Sequence, residues 1–365
     1  MAQCNESALV VSTCGISLLD RATLKADAGQ PEWLNRSSSE LSEEERSRLS
    51  KAQAVSRDRL TASTPEQAAA ISAELKGIFA LRRKYPELRL EHLLIHSDTA
   101  AGEAAAEVLQ DLLIGSGMSC QKRTFSGLQA TQVHPFQDAT ALLAKWVVSD
   151  CAAYRRSHRV IFHLTGGFKT IWGVLIPLGM MHADEIVYIF ENGTELLTIP
   201  RLPLELANRE FVRQHLRLFR RLDRGLEVRE EEISGELSLY TYSDSGFAAL
   251  GPWGILSFEQ HRAELLEERI WDPCSDRVRY GPKFRASIEK LPATRIGMIN
   301  ERLDDLAEYV ERGVYRSRLD LKQLKGQGSA PSTHEIDAWS DGDARRMFLH
   351  RDSDGWILDR LGAHL

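Results

Sequence analysis

The chain has 365 residues, enough for two or three domains, and with 43% hydrophobic and 27% charged residues it can build real cores, which excludes global disorder. A formal net charge of −6 gives no overall attraction to nucleic acid, so any RNA contact must use a local patch or be brought about by another molecule. No apolar run is long enough for a membrane span, Asn5-Glu6-Ser7 breaks the place of a secretion signal, and five scattered cysteines (Cys4, Cys14, Cys120, Cys151, Cys274) form no C-x-x-C pair. These features point to a cytoplasmic protein without structural zinc.

In chain order, Ala8–Ser12 reads as a buried strand ending in the polar turn Thr13-Cys14-Gly15. Residues 29–65, with Pro31, Ser37–Ser39 and Glu43-Glu44-Glu45, read as an exposed excursion with short helices. Pro65–Tyr85 is helical in pattern. The strand His92–His96 then runs into the helix-capping cluster Ser97-Asp98-Thr99 and the alanine-rich helix Ala100–Ile114. A strand at Cys120–Phe125, a helix over Thr140–Tyr154 and a strand at Val160–Leu164 follow. That strand meets Thr165-Gly166-Gly167-Phe168-Lys169-Thr170, a glycine turn opening the apolar segment Ile171–Met181. The strand Glu185–Phe190 and the turn Asn192-Gly193 precede Leu196–Ile199. This alternation predicts an α/β domain with a parallel, doubly wound sheet and an antiparallel edge.

In such sheets ligands bind beyond the carboxyl ends of the strands. Three polar turns fall on that edge: Ser12–Gly15, Ser97–Thr99 and Thr165–Lys169. Glycines allow close main-chain approach, a helix N-terminus offers N–H groups, and Lys169 adds a full charge, so the set suits a phosphate-bearing ligand. The spacing is not that of a Walker A loop.

The stretches VSTCGISLL at 11–19, HSDT at 96–99 and HLTGGFK at 163–169 resemble the CRISPR-associated Rossmann-fold (CARF) family over about residues 7–205. The resemblance implies a homodimer that binds cyclic oligoadenylate, most commonly cyclic tetra-adenylate, across its two-fold axis. Ligand contacts would then come from Ser12, Thr13, Cys14, Gly15, Ser97, Asp98, Thr99, Thr165, Gly166, Gly167, Phe168 and Lys169. Some relatives cleave the ring slowly without metal. By position, Ser12, Thr13 and Lys169 would carry that activity.

The middle, 206–270, shifts in composition. Arg213, Arg217, Arg220, Arg221 and Arg224 recur at helical spacing and read as a solvated face balanced by Glu227, Glu230, Glu231 and Glu232. With a strand at Leu237–Tyr242 and a helix at Ser257–Leu266, the segment reads as a helical, possible winged-helix-like linker.

From 271 onward, Gly281–Leu291 and Ala293–Arg312 read as two amphipathic helices joined at Pro292, an αα-hairpin. Leu321–Leu324 and a flexible Gly326–Ser332 lead to strands at His334–Trp339, Arg345–His350 and Trp356–Leu361, an α+β plan. The order of elements and the RRMF strand resemble the RelE/HigB toxin family. That likeness implies an endoribonuclease cutting mRNA on the ribosome, with no cofactor or metal. Arg346 would be its central-strand arginine and Lys322 and Lys325 the basic residues before the sheet. Arg345, His334, His350 and His364 would be further candidates for base, acid or phosphate clamp. The region holds 16 Lys/Arg against 16 Asp/Glu, so weak intrinsic RNA affinity is expected, offset by recruitment through a ribosomal protein.

Together the halves, 1–205, 206–270 and 271–365, resemble a CARF–RelE fusion of type III CRISPR immunity: a ligand-activated mRNA interferase. Two other functions remain open, a stand-alone ring nuclease and a CARF-controlled transcription regulator.

Overall fold

The computed structural model describes residues 6–25, 31–129, 133–167, 169–190, 193, 195–324 and 331–363. The chain divides into two compact units, 1–205 and 206–365.

The first unit is built on a six-stranded sheet, ordered β3-β2-β1-β4-β5-β6. Its strands are β1 (Ser7–Cys14), β2 (Arg89–His96), β3 (Ser119–Arg123), β4 (Arg159–His163), β5 (Glu185–Ile189) and β6 (Leu196–Pro200). All pairings are parallel except β5 with β6, as the alternation predicted. β1 carries a continuous apolar run because both of its faces are covered. Its register sets Ser12 beside Leu94 of β2 and His163 of β4, so the three signature turns leave one edge of the sheet. Of the turn after β5, Asn192 lies outside the described residues.

The excursion proves substantial. After a 3-10 turn at Glu32–Asn35 comes helix α1 (Glu43–Thr61), started by a reciprocal Ser42–Glu45 capping box. The helical pattern at 65–85 is two helices, α2 (Pro65–Ile71) and α3 (Ala73–Lys84). Ser72, with extended backbone, ends the first and caps the second. Helix α4 (Ala100–Gly115) packs against α1, and Thr99 caps it by accepting from Gly102 N at 3.0 Å. Helix α5 spans Val133–Trp146, seven residues earlier than expected at its start, and gives way to a π turn at Val147–Cys151. Helix α6 (Trp172–His182) follows a 3-10 turn at Lys169–Ile171, the predicted strand–turn–helix order.

The second unit holds helices α7 (Arg209–Gln214) and α8 (Leu216–Asp223), then the hairpin β7 (Thr241–Asp244) and β8 (Phe247–Leu250). Helix α9 (Pro252–Glu268), β9 (Val278–Tyr280) and helix α10 (Ala293–Arg312) come next. Strands β10 (Lys322–Gln323), β11 (His334–Trp339), β12 (Arg345–Arg351) and β13 (Trp356–Ala363) complete it. The sheet order is β10-β11-β12-β13-β9, with β9 parallel to β13 and the other pairs antiparallel. Leu303, Leu306 and Ile299 of α10 pack on Ile336, Met347 and Leu358 of the sheet.

Three expectations are corrected here. The segment Gly281–Leu291 is not a helix: only Phe284–Ser287 makes a helical turn, so α10 has no hairpin partner. Phe284 and Ile288 bury themselves in the sheet core instead. Residues 206–270 share one unit with 271–365 rather than forming a separate linker, and Leu226, Cys274 and Ala307 meet in one apolar cluster. The arginine series is only in part a solvated face: Arg213 and Arg217 pair near the surface with Glu268 at 3.1 Å and Asp276 at 2.6 Å, whereas Arg220 and Arg224 are buried. Arg220 is 1% exposed, its Nε donating to Asp304 at 2.9 Å and its Nη1 to Asp272 O at 2.8 Å. Arg224, also buried, pairs with Asp305 at 3.0 Å. Carboxylates of α10, not Glu227–Glu232, neutralise Arg220, Arg221 and Arg224.

Candidate functional site

At the carboxyl edge of the parallel strands, a cavity of about 230 Å³ is walled by Cys14, Gly15, Ser97, Thr99, Gly167 and Lys169. Six of the residues expected to meet a ligand are thus brought to one place. Ile16, Leu34, Asn35 and Gln129 complete the wall. Lys169 is exposed and, among the described residues, is the one formally charged side chain of that lining.

Close backbone approach shapes the floor. A Cβ on Gly15 would lie 2.7 Å from Gly167 Cα, and Gly167 has a φ of +90°, a conformation that favours glycine. A Cβ on Gly166 would lie 2.2 Å from the carboxyl carbon of Glu74. Glu74 of α3 is 1% exposed. Its Oε1 accepts from Gly15 N at 2.9 Å and its Oε2 from Ser72 Oγ at 2.7 Å. One buried carboxylate therefore supports both glycine turns.

Ser12 and Thr13 face inward. The Ser12 hydroxyl shares a 3.0 Å hydrogen bond with His163 Nδ1, and the Thr13 hydroxyl donates to Gly166 O. Both side chains are fully buried and absent from the cavity wall. Burial, with the neighbouring His92 as a smaller cause, lowers the His163 pKa to about 3, so its ring is neutral. Burial, then the charge of Glu74, pushes the Cys14 thiol well up, which removes it as a nucleophile near neutral pH. Asp98 accepts from Gly127 N at 2.8 Å, and Thr165 Oγ1 accepts from Ile189 N at 3.2 Å, so both hold loops. Phe168 lies outside the described residues.

Sequence reasoning missed Glu74, Leu34 and Asn35. Glu74 sits in an ordinary-looking alanine-rich helix, 59 positions from the glycine it holds. Leu34 and Asn35 belong to the unassigned excursion, whose Arg36 carbonyl also accepts from Ala100 N at 2.9 Å. His163 lay within the quoted HLTGGFK motif but carried no distinguishing signal of its own.

In the second unit, Arg346 and Lys322 are drawn together by Asp320. Its Oδ2 accepts from Arg346 Nη1 at 2.8 Å and from Lys322 Nζ at 2.7 Å. Arg346 is 9% exposed and also lies 3.7 Å from Asp337 of β11, its register partner. The remaining candidates are elsewhere. Arg345 pairs with Asp343 at 3.1 Å on the exterior. His350, about 13 Å along the strand from Arg346, binds Asp359 at 2.9 Å, which in turn accepts from Ser332 at 2.8 Å. His334 bonds Thr333 and sets its ring edge-on to Trp356 at 4.9 Å. Lys325 and His364 lie outside the described residues. Among the described residues, no group of three His, Cys, Asp or Glu side chains is placed to hold a metal ion, and no helix is long and apolar enough to cross a membrane.

The first unit is thus a parallel-rich α/β sheet with a loop-lined, weakly cationic cavity at its carboxyl edge. Residues 69–202, just over a third of the chain, match the model of a CRISPR-associated protein family (Cas_APE2256). The match supports a CRISPR-associated protein. It takes in β2 to β6 and two of the three signature turns, but not β1 with Ser12–Gly15. No curated protein matches the chain.

Proposed function

We propose that residues 1–205 are a CARF-type receptor for cyclic oligoadenylate, most commonly cyclic tetra-adenylate, acting as a cytoplasmic homodimer. Ligand binding then makes residues 206–365 competent as a metal-independent, RelE-like endoribonuclease that cuts ribosome-bound mRNA in type III CRISPR defence. The observation carrying this reading is the convergence of Cys14, Gly15, Ser97, Thr99, Gly167 and Lys169 on one cavity, within a unit that matches a CRISPR-associated family. Main-chain N–H groups and Lys169 would meet ligand phosphates. Differential affinity of the ligand for the active arrangement supplies the shift. The balanced charge of residues 271–365 favours recruitment through a ribosomal protein over capture of naked RNA.

Slow cleavage of the ligand, as in a ring nuclease, would fall to Lys169 and main-chain donors, because the Ser12 and Thr13 hydroxyls are engaged inside the protein. A translation assay with and without cyclic tetra-adenylate tests the whole scheme. Inhibition should require the ligand and vanish in Arg346→Ala. Lys169→Ala should weaken ligand binding roughly tenfold to a hundredfold. Ligand loss without any effect on translation would instead mark a stand-alone ring nuclease, and specific duplex DNA binding a transcription regulator.

A further inference from the structure

We propose that Asp320 is an internal competitor for substrate phosphate, its carboxylate closing the Arg346–Lys322 pair until that side chain swings out. This rests on the nuclease reading of the second unit.

Three features argue for it. First, a single carboxylate oxygen bridges the two cations at 2.8 and 2.7 Å, the arrangement a phosphate oxygen would take between an arginine and a lysine. Second, Asp320 is placed there by a strap fixed at two other points. Arg316 pairs with Glu308, its Nη2 donating at 3.0 Å, and Arg318 grips Asp305 with two bonds of 2.6 and 2.8 Å. Both acceptors lie on α10 and are buried, so the strap is clamped at every second residue. Asp320 itself has φ 43° and ψ 50°, left-handed backbone that a non-glycine residue rarely adopts. Third, the pair is asymmetric. The Asp320 side chain is 37% exposed and the Arg346 side chain 10%, so the carboxylate is the member that can leave. Asp337 at 3.7 Å then still balances the guanidinium on its own strand.

A catalytic-base role for Asp320 is disfavoured. Lys322 and then Arg346 hold its carboxyl below the usual carboxylate range, which makes it a weak proton acceptor at neutral pH.

The test uses the full chain without activating ligand and a labelled short single-stranded RNA as probe. Asp320→Asn keeps the shape and tolerates left-handed backbone, and Asp320→Gly provides a second variant that relaxes it; melting temperatures report on folding. Both variants should bind the RNA about fivefold more tightly than wild type, and the gain should disappear in combination with Arg346→Ala. Equal binding by wild type and both folded variants, or a gain that survives Arg346→Ala, overturns the proposal. So does reduced cleavage of ribosome-bound mRNA by Asp320→Asn when cyclic tetra-adenylate is added, which would make Asp320 catalytic. Tighter RNA binding with no cleavage of ribosome-bound mRNA by any form, even after cyclic tetra-adenylate is added, upholds Asp320 as a competitor for RNA phosphate while sinking the nuclease reading.

Discussion

His163 and His92 lie in the interior of the first unit, on neighbouring strands that flank β1, with pKa values lowered from 6.5 to about 3 and about 4, burial being the main cause. Each is neutral when folded and takes a proton more readily when unfolded. Their contribution is therefore intact above about pH 6.5 and is lost progressively as the pH falls toward the folded values. Between pH 6.5 and 5 each should cost about 2 kcal/mol of stability. Urea titrations across that range should show it, and His163→Gln should flatten the dependence. At this scale the sequence was partly legible. The turn residues Gly15, Ser97, Thr99, Gly167 and Lys169 could be chosen because their types and positions after strands carry meaning locally. Ser12 and Thr13 have the same types, and only the register with β4 shows that their hydroxyls turn inward.

Helix α10 illustrates what an element can and cannot disclose alone. Its bounds follow from Pro292 before it and Gly313, at φ 72°, after it, and its apolar stripe predicts the face toward the sheet. Strands β11 to β13 were equally legible from alternation between hairpin turns. The charged partners were not. Arginines at helical spacing look alike whether they face water or buried acids, and the acids lie 84 positions away in the Arg220–Asp304 pair. Gly281–Leu291 misled for a related reason: its apolar residues fit a helical face, yet Phe284 and Ile288 join the core shared by α10 and the sheet with only one helical turn between Phe284 and Ser287. Arg220→Met would leave Asp304 buried and uncompensated and should cost about 3–5 kcal/mol. Adding Asp304→Leu should restore most of it, since an apolar pair of similar volume avoids the stranded charge. Denaturant midpoints of the two single variants and the double variant decide this.

Across the whole molecule, each candidate site is held by an acid of its own unit, buried Glu74 taking the Gly15 N–H and half-exposed Asp320 taking Arg346 and Lys322. In the second unit the sheet is completed by its last strand, since β13 lies between β12 and β9 rather than at an edge. Ending the chain after Gly355 should abolish the cooperative unfolding of residues 206–355 while that of residues 1–205 persists, as two-transition calorimetry would reveal.

The inner position of β13 also bears on biosynthesis. Strand β9 emerges from the ribosome some 80 residues ahead of the partner it needs, about the spacing read from their parallel register. Until residues 356–363 have left the exit tunnel, β12 and β9 cannot be joined and Arg346 stands on an unfinished sheet. A nascent copy therefore lacks the complete five-stranded sheet until its last strand has emerged.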